Sequence, residues 1–199
     1  MRLNKKNIRN NFPILKKRSR GTPFIYFDNA ATTQKPRIIL KKLEEHYANA
    51  HANVHRGVYR VAEEATRRFE EAREKLARFI GARFSREIIF TRNATEAINL
   101  AASVLSGRIK KGDRILTCLS EHHSNFVPWM RLAKTRGAKF DVIGLTPDRR
   151  FDFEDFEKKL TAKTRIVAVA HISNVSGYGY PVEKITSVAH KIGDRKSVV

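Results

Sequence analysis

Three short segments of this 199-residue chain place polar, chemistry-bearing side chains directly after apolar runs. The first is Thr91-Arg92-Asn93-Ala94-Thr95-Glu96. If a helix starts there, the amides of Ala94 and Thr95, the helix dipole and the Thr95 hydroxyl can seat a phosphate. The same residues also read as a capping box, with Asn93 as the cap and Glu96 three residues on. No Walker loop or GxGxxG fingerprint is present. The second segment is Glu121-His122-His123-Ser124-Asn125. Adjacent histidines diverge, which makes them a poor metal pair, but one can stack on an aromatic ligand or move a proton near neutral pH. Alternatively it is a polar loop in which Ser124 or Asn125 caps the next helix. The third is His171-Ile172-Ser173-Asn174-Val175-Ser176-Gly177, where the Asn174 amide can bond a phenolate oxygen or a substrate, or merely shape an Asn and Gly turn. His55-Arg56-Gly57 can meet an anionic substrate, although solvated side chains account for it locally.

The elements that must carry these segments follow from periodicity and punctuation. A short strand is expected at Phe24–Phe27, then the turn Asp28–Thr33 and a helix from Pro36 to about Tyr47. Val61, Ala65, Phe69, Ala72, Leu76, Phe79 and Ile80 recur at three and four, predicting a long helix closed by Gly81. Strand and helix then alternate. A strand over Glu87–Thr91 leads to a helix over Thr95–Ser106, and a strand over Arg114–Leu119 to a helix over Asn125–Thr135. Lys139–Ile143 is the next strand, Phe153–Leu160 a helix, Arg165–Ala170 an apolar strand and Val182–His190 a last helix. Apolar strands alternating with helices predict an α/β fold with a mainly parallel sheet. In such sheets the loops after strands hold ligands, and the three segments sit in those loops.

Composition narrows the classes. Hydrophobic residues make up 41% and charged residues 30% of the chain, a globular balance. No apolar run reaches the roughly 20 residues of a membrane helix, and a soluble, cytoplasmic-type protein is expected. The lone cysteine, Cys118, lies in an apolar run and is expected to be a packed core thiol, with no metal cluster or disulfide available to it. Forty Lys and Arg against twenty Asp and Glu give a net charge of +20. That field attracts polyanions generally, but the charges are dispersed and no nucleic-acid module is visible.

Asp28-Asn29-Ala30-Ala31-Thr32-Thr33-Gln34-Lys35-Pro36, Asn53-Val54-His55-Arg56-Gly57 and Thr91 to Asn99, taken in order, resemble the class V aminotransferase family. Glu121 to Trp129 and His171 to Gly177 narrow the resemblance to SufS-type cysteine desulfurases and their selenocysteine lyase relatives. It runs from about Ile8 to Gly193. It implies an α/β fold-type I transferase dependent on pyridoxal 5'-phosphate, its mainly parallel sheet flanked by helices, working as a homodimer. By match of motif, Ala94 and Thr95 would hold the cofactor phosphate and Asn174 its phenolic oxygen. His122 would stack on the pyridine ring and act catalytically in proton transfer. Ala30, Ala31, His55 and Arg56 would lie beside the substrate, with Arg92 and Glu96 at the active site and dimer contact. No metal is implied. The implied reaction converts L-cysteine to L-alanine, the sulfur passing through an enzyme persulfide to an acceptor protein of the Suf system for iron–sulfur cluster assembly.

Members of this family continue into Asp-Gly-Ala-Gln and Ser-Gly-His-Lys motifs and a nucleophilic cysteine, none of which occurs here. The chain is therefore expected to be an amino-terminal fragment, truncated before the sheet is complete and inactive by itself. Its expected organisation is a basic arm over 1–20, the amino-terminal part of the large domain over 21–193, and a tail over 194–199. That tail, Asp194-Arg195-Lys196-Ser197-Val198-Val199, matches the translation of a common sequencing adapter and is read as non-native, with no strand expected in it. The alternatives are a selenocysteine lyase or another class V member, and, from a different class, a basic nucleic-acid-binding fragment without catalysis.

Overall fold

The computed structural model describes residues 5–192 and 197–198, with side chains from residue 7 to 192. The first four residues of the basic arm, and residues 193–196 and 199 around the tail, lie outside the described residues. The chain divides into two compact units, residues 1–89 and 90–199.

The first unit contains α1 (Lys5–Asn10), a two-residue antiparallel pair of β1 (Arg18–Ser19) with β2 (Thr22–Pro23), then α2 (Arg37–Asn49) and α3 (Arg60–Ile80). The strand expected at Phe24–Phe27 does not form. The last backbone pairing bond is from the Phe24 amide to the Lys17 carbonyl at 3.0 Å, and beyond it the chain is shaped by a side chain, the Tyr26 hydroxyl, which donates to the carbonyls of Thr32 at 2.6 Å and Asp28 at 2.9 Å. α3 closes as expected at Gly81, whose φ of 72° favours glycine and whose amide returns to the Ala77 and Arg78 carbonyls. Its polar side is laced by pairs such as Arg67 and Arg68 with Glu64. The apolar side is less buried than its periodicity suggests: only Ala62, Ala65 and Ala77 are buried, and Phe79 is 86% exposed. The strand expected at Glu87–Thr91 is also absent. Ser85–Glu87 is a 3-10 turn and Ile88 is extended (φ −92°, ψ 121°), but no neighbouring strand among the described residues pairs with it.

The second unit is the α/β body. It runs α4 (Ala94–Leu105), β3 (Arg114–Cys118), α5 (Val127–Arg136), β4 (Lys139–Ile143), α6 (Phe153–Lys159), β5 (Thr164–Ala168), α7 (Val182–Lys191) and β6 (Ser197–Val198). The four strands are parallel in the order β4-β3-β5-β6. The backbone of Ser197–Val198 pairs with Ile166–Val167. The expectation that no strand occurs in the tail is thus corrected: a β-branched residue beside an open edge of β5 suffices for two ladder positions.

Alternation along each strand builds two cores. Ile115 and Ile166 are opposite one another in the register, and so are Leu116 and Val167. The first pair packs with Ala102 of α4 and with Trp129, Leu132 and Ala133 of α5. The second packs with Cys118, Ile143, Phe156 and Leu160, and with Ile185 and Ala189 of α7. Cys118 is fully buried, the core thiol its apolar run predicts. Thr117 is equally buried and donates its hydroxyl to the Ala168 carbonyl at 3.0 Å, so this polar group inside the ladder is satisfied.

Phe156 is completely buried, whereas Val104 is 70% exposed. Phe156→Ala is expected to destabilise the second unit by about 3–5 kcal/mol, and Val104→Ala by no more than about 0.5 kcal/mol. Urea unfolding midpoints measure both, and similar shifts for the two variants would contradict this core.

Candidate functional site

The connection from β3 leads to β4 on one side, and the connection from β5 leads to β6 on the other. The helices on these connections also diverge, α5 joining one core and α7 the other. The loops leaving β3 and β5 therefore part from each other and open a crevice at the carboxyl ends of two neighbouring strands. Open α/β sheets bind ligands at such a switch point. The two loops are residues 119–126 and 169–180, and α4 packs against the 3-10 turn His123–Asn125 at the same edge. All three segments singled out by sequence in this unit thus share one sheet edge.

At the start of α4 both local readings hold together. Asn93 is extended and its Oδ1 accepts the Glu96 amide at 2.9 Å. The Glu96 carboxylate accepts from the Arg92 amide at 2.7 Å rather than from the cap residue, so the box is shifted by one position. Hydrogen bonds from the Arg92 backbone first, and its side chain second, hold the Glu96 carboxyl below its ordinary value. The cap occupies only the amide at the third helical position. The amides of Ala94 and Thr95 and the Thr95 hydroxyl have no donor–acceptor partner among the described residues, a donor set that suits a phosphate monoester.

The loop after β3 is organised differently from either expectation. Neither Ser124 nor Asn125 caps α5; Pro128 lies in its first turn, and the preceding 3-10 turn is capped by a histidine. His122 Nδ1 accepts the Ser124 amide at 3.1 Å and pairs with the Ser124 hydroxyl at 2.7 Å. A ring nitrogen that accepts a backbone N–H carries no proton. With Nδ1 as the acceptor, the donor position of the ring is Nε2.

Sequence reasoning did not single out Glu121 as a site residue. Its carboxylate spans the crevice floor, Oε1 accepting the Ala170 amide of the loop after β5 at 2.5 Å and Oε2 accepting Asn125 Nδ2 at 3.0 Å. Asn125 in turn accepts from the indole of the buried Trp129 at 2.9 Å. Burial pushes the Glu121 carboxyl above its ordinary value, outweighing the donors from Ala170, Asn125 and the His122 backbone. Beside it, the Ser120 and Tyr180 hydroxyls meet at 2.5 Å, and burial pushes the Tyr180 hydroxyl up to about 12. An acid soon after an apolar strand was the available signal for this network, but its partner across the crevice, Ala170, lies 49 residues downstream.

Asn174 is exposed in a turn closed by the Gly177 amide on the Ser173 carbonyl at 3.0 Å, with Gly177 at φ 70°. Ser173, buried beneath it, accepts the Val175 and Ser176 amides at 3.3 Å. The remaining candidates belong to the first unit. Ala30 and Ala31 are exposed in the turn held by Tyr26. His55 is not simply solvated: its amide donates to Thr66 Oγ1 at 3.0 Å and its Nε2 lies 2.8 Å from Glu70 Oε1. These ties to α3 hold it at a φ of 63°, a strained value for a residue with a side chain. Arg56 is exposed beside it, and Gly57 follows because a Cβ there would stand 2.4 Å from that of Ala62.

The family model for aminotransferase class-V matches residues 25–198. The chain belongs to the aminotransferase class-V family. It is 48% identical over 187 residues to a probable cysteine desulfurase of Synechocystis sp., covering 94% of this chain and 44% of that relative. Among solved structures, the apo cysteine desulfurase from Thermococcus onnurineus NA1 superposes with a TM-score of 0.89 at 38% identity, covering all of this chain and 47% of that one. The cysteine desulfurase CsdA from Escherichia coli gives a TM-score of 0.84 at 33% identity, covering all of this chain and 49% of that one. The chain thus spans about half the length of these relatives. The α/β architecture with its parallel sheet is that of the class-V fold.

Two outcomes follow from this geometry. Asn93→Ala removes the acceptor from the start of α4 and is expected to cost about 1 kcal/mol of stability, measured by urea unfolding. Glu121 has its carboxyl raised on folding, so its contribution to stability is fully present below its ordinary value of 4.5 and fades as pH rises through the raised value. The stability of the wild-type chain relative to Glu121→Gln is therefore expected to fall as pH is raised from 4.5 toward neutrality. A difference independent of pH across that range would rule this out.

Proposed function

We propose that this chain forms the phosphate-binding and ring-stacking part of a pyridoxal-phosphate-dependent cysteine desulfurase. The observation that carries the reading is the convergence of three motif loops on one sheet edge. The unpartnered amides of Ala94 and Thr95, the Nε2 proton of His122 and the exposed amide of Asn174 all belong to that edge. Similarity to named cysteine desulfurases over nearly the whole chain supports the reading.

In this reading Ala94, Thr95 and the dipole of α4 bind the cofactor phosphate, and Asn174 donates to its phenolic oxygen. Bound pyridoxal phosphate supplies an electron sink for an amino-acid substrate. His122 covers the ring and, with Nδ1 engaged by Ser124, exchanges its proton through Nε2. By the family resemblance, Ala30, Ala31, His55 and Arg56 would be substrate-proximal, and Arg92 and Glu96 would lie at the active-site and subunit contact of a homodimer. The substrate proposed is L-cysteine, converted to L-alanine with sulfur passed to a Suf-type acceptor for iron–sulfur cluster assembly in the cytoplasm. Selenocysteine lyase chemistry is the alternative, since the same residues would serve a selenium analogue.

The 199-residue chain is expected to form no alanine from L-cysteine. A chimera that continues it into the remaining half of the Synechocystis relative is expected to form alanine, and His122→Ala in that chimera to lower the rate by about 100-fold or more. A folded chimera that retains pyridoxal phosphate yet forms no alanine would sink the assignment. So would a His122→Ala chimera of undiminished rate.

A further inference from the structure

Glu121 is an ionisable side chain that touches both loops of the crevice while serving no role in the reading above; the Ser120–Tyr180 hydroxyl pair is a second tie between the same loops. One carboxylate oxygen takes the Ala170 amide from beyond β5, and the other takes the Asn125 amide group from beyond β3. Asn125 cannot reverse to offer its oxygen instead, because that oxygen already accepts the Trp129 indole N–H. The order of donors and acceptors is therefore fixed along the whole chain of contacts. Two donors converge on Glu121, and only a side chain with two acceptor oxygens satisfies both.

The length of the side chain matters as well. Glu121 stands between the end of β3 and His122, so its position and that of the histidine are set by the same few bonds. Ala170 stands directly before His171 and four residues before Asn174. The hydrogen bonds of Glu121 do not include α4, whose first turn is organised by Asn93, although the turn that carries Asn125 packs against that helix. The two ends of the crevice are thus built by separate hydrogen-bond sets.

We propose that Glu121 is a positioning residue for the ring side of the site: it clamps the His122 and Asn174 loops at one spacing, while the first turn of α4 on the phosphate side has hydrogen bonds of its own. The clamp is a property of this chain's own structure; its effect on the cofactor rests on the proposed function. Glutamine at this position keeps the length but turns a donor toward Asn125, and alanine removes both acceptors.

The clamp is tested by amide hydrogen exchange in the 199-residue chain. Glu121→Ala is expected to speed exchange at Ala170 by tenfold or more, and Glu121→Gln by less, while amides inside the β3–β5 ladder keep their rates. Unchanged exchange at Ala170, or equal acceleration throughout the ladder, overturns the clamp. The consequence is tested by binding, followed through the fluorescence of Trp129, the single tryptophan. Glu121→Gln is expected to weaken pyridoxal 5'-phosphate about tenfold and leave the affinity for inorganic phosphate unchanged. Equal loss of both ligands, or of neither, overturns the positioning role. Failure of the wild-type chain to bind either ligand counts against the proposed function and against the cofactor consequence, whereas the exchange result still decides the clamp.

Discussion

The parallel pairing of β3 with β5 is the constraint on which the second unit depends. It sets Ile115 against Ile166 and Leu116 against Val167, and thereby assigns the first pair to one core and the second to the other. A slip of one residue would exchange the two faces and send Thr117, whose hydroxyl reaches the Ala168 carbonyl, to the wrong side. The same pairing brings together the two loops that leave the strands in opposite directions. Core and crevice are consequences of one ladder.

Polar groups at the edge of that ladder are treated in two ways. At its amino-terminal end Asp113 is buried and fully engaged, accepting the Lys110 amide and the Arg165 guanidinium. At its carboxyl end some groups are engaged and others are left open. Glu121, Asn125, Ser120 and Tyr180 satisfy one another, whereas the first amides of α4 and the Nε2 of His122 do not enter these networks. A buried polar group without a partner is costly, so the engaged set provides a rigid frame and the open set stays where solvent or a ligand can reach it. This division of labour is what makes the edge a site rather than a loop cluster.

Much of this was legible in the sequence, and the misses share a cause. Strands β3 and β5 were apparent because apolar runs need burial on both faces, and helices α3 and α5 end at glycines with positive φ. The stretches at Phe24–Phe27 and Glu87–Thr91 have strand-like residues but belong to no ladder among the described residues, and residue preference alone does not make a strand. Ser197–Val198 shows the reverse: an unpromising pair of residues forms a ladder because an edge is available. Among site residues, the Asn93 cap was readable because its partner is three residues away. The Glu121 network was not, since Ala170 is 49 residues distant and its role arises only when two strands meet. The periodicity of α3 was read correctly, yet Phe79 on that face remains exposed.

The separation between Thr117 and its partner Ala168 also orders events in time. β3 and β4 are joined by a single helix and can pair as soon as both have left the ribosome. The crevice cannot exist then, because its second wall is β5, and about fifty residues must emerge before that wall arrives. Until it does, the Glu121 carboxylate faces water and one edge of β3 stands open to any passing strand. The site is therefore among the last features of this unit to be assembled during synthesis, and the interval before β5 docks is when a chaperone would find the nascent chain most in need of cover.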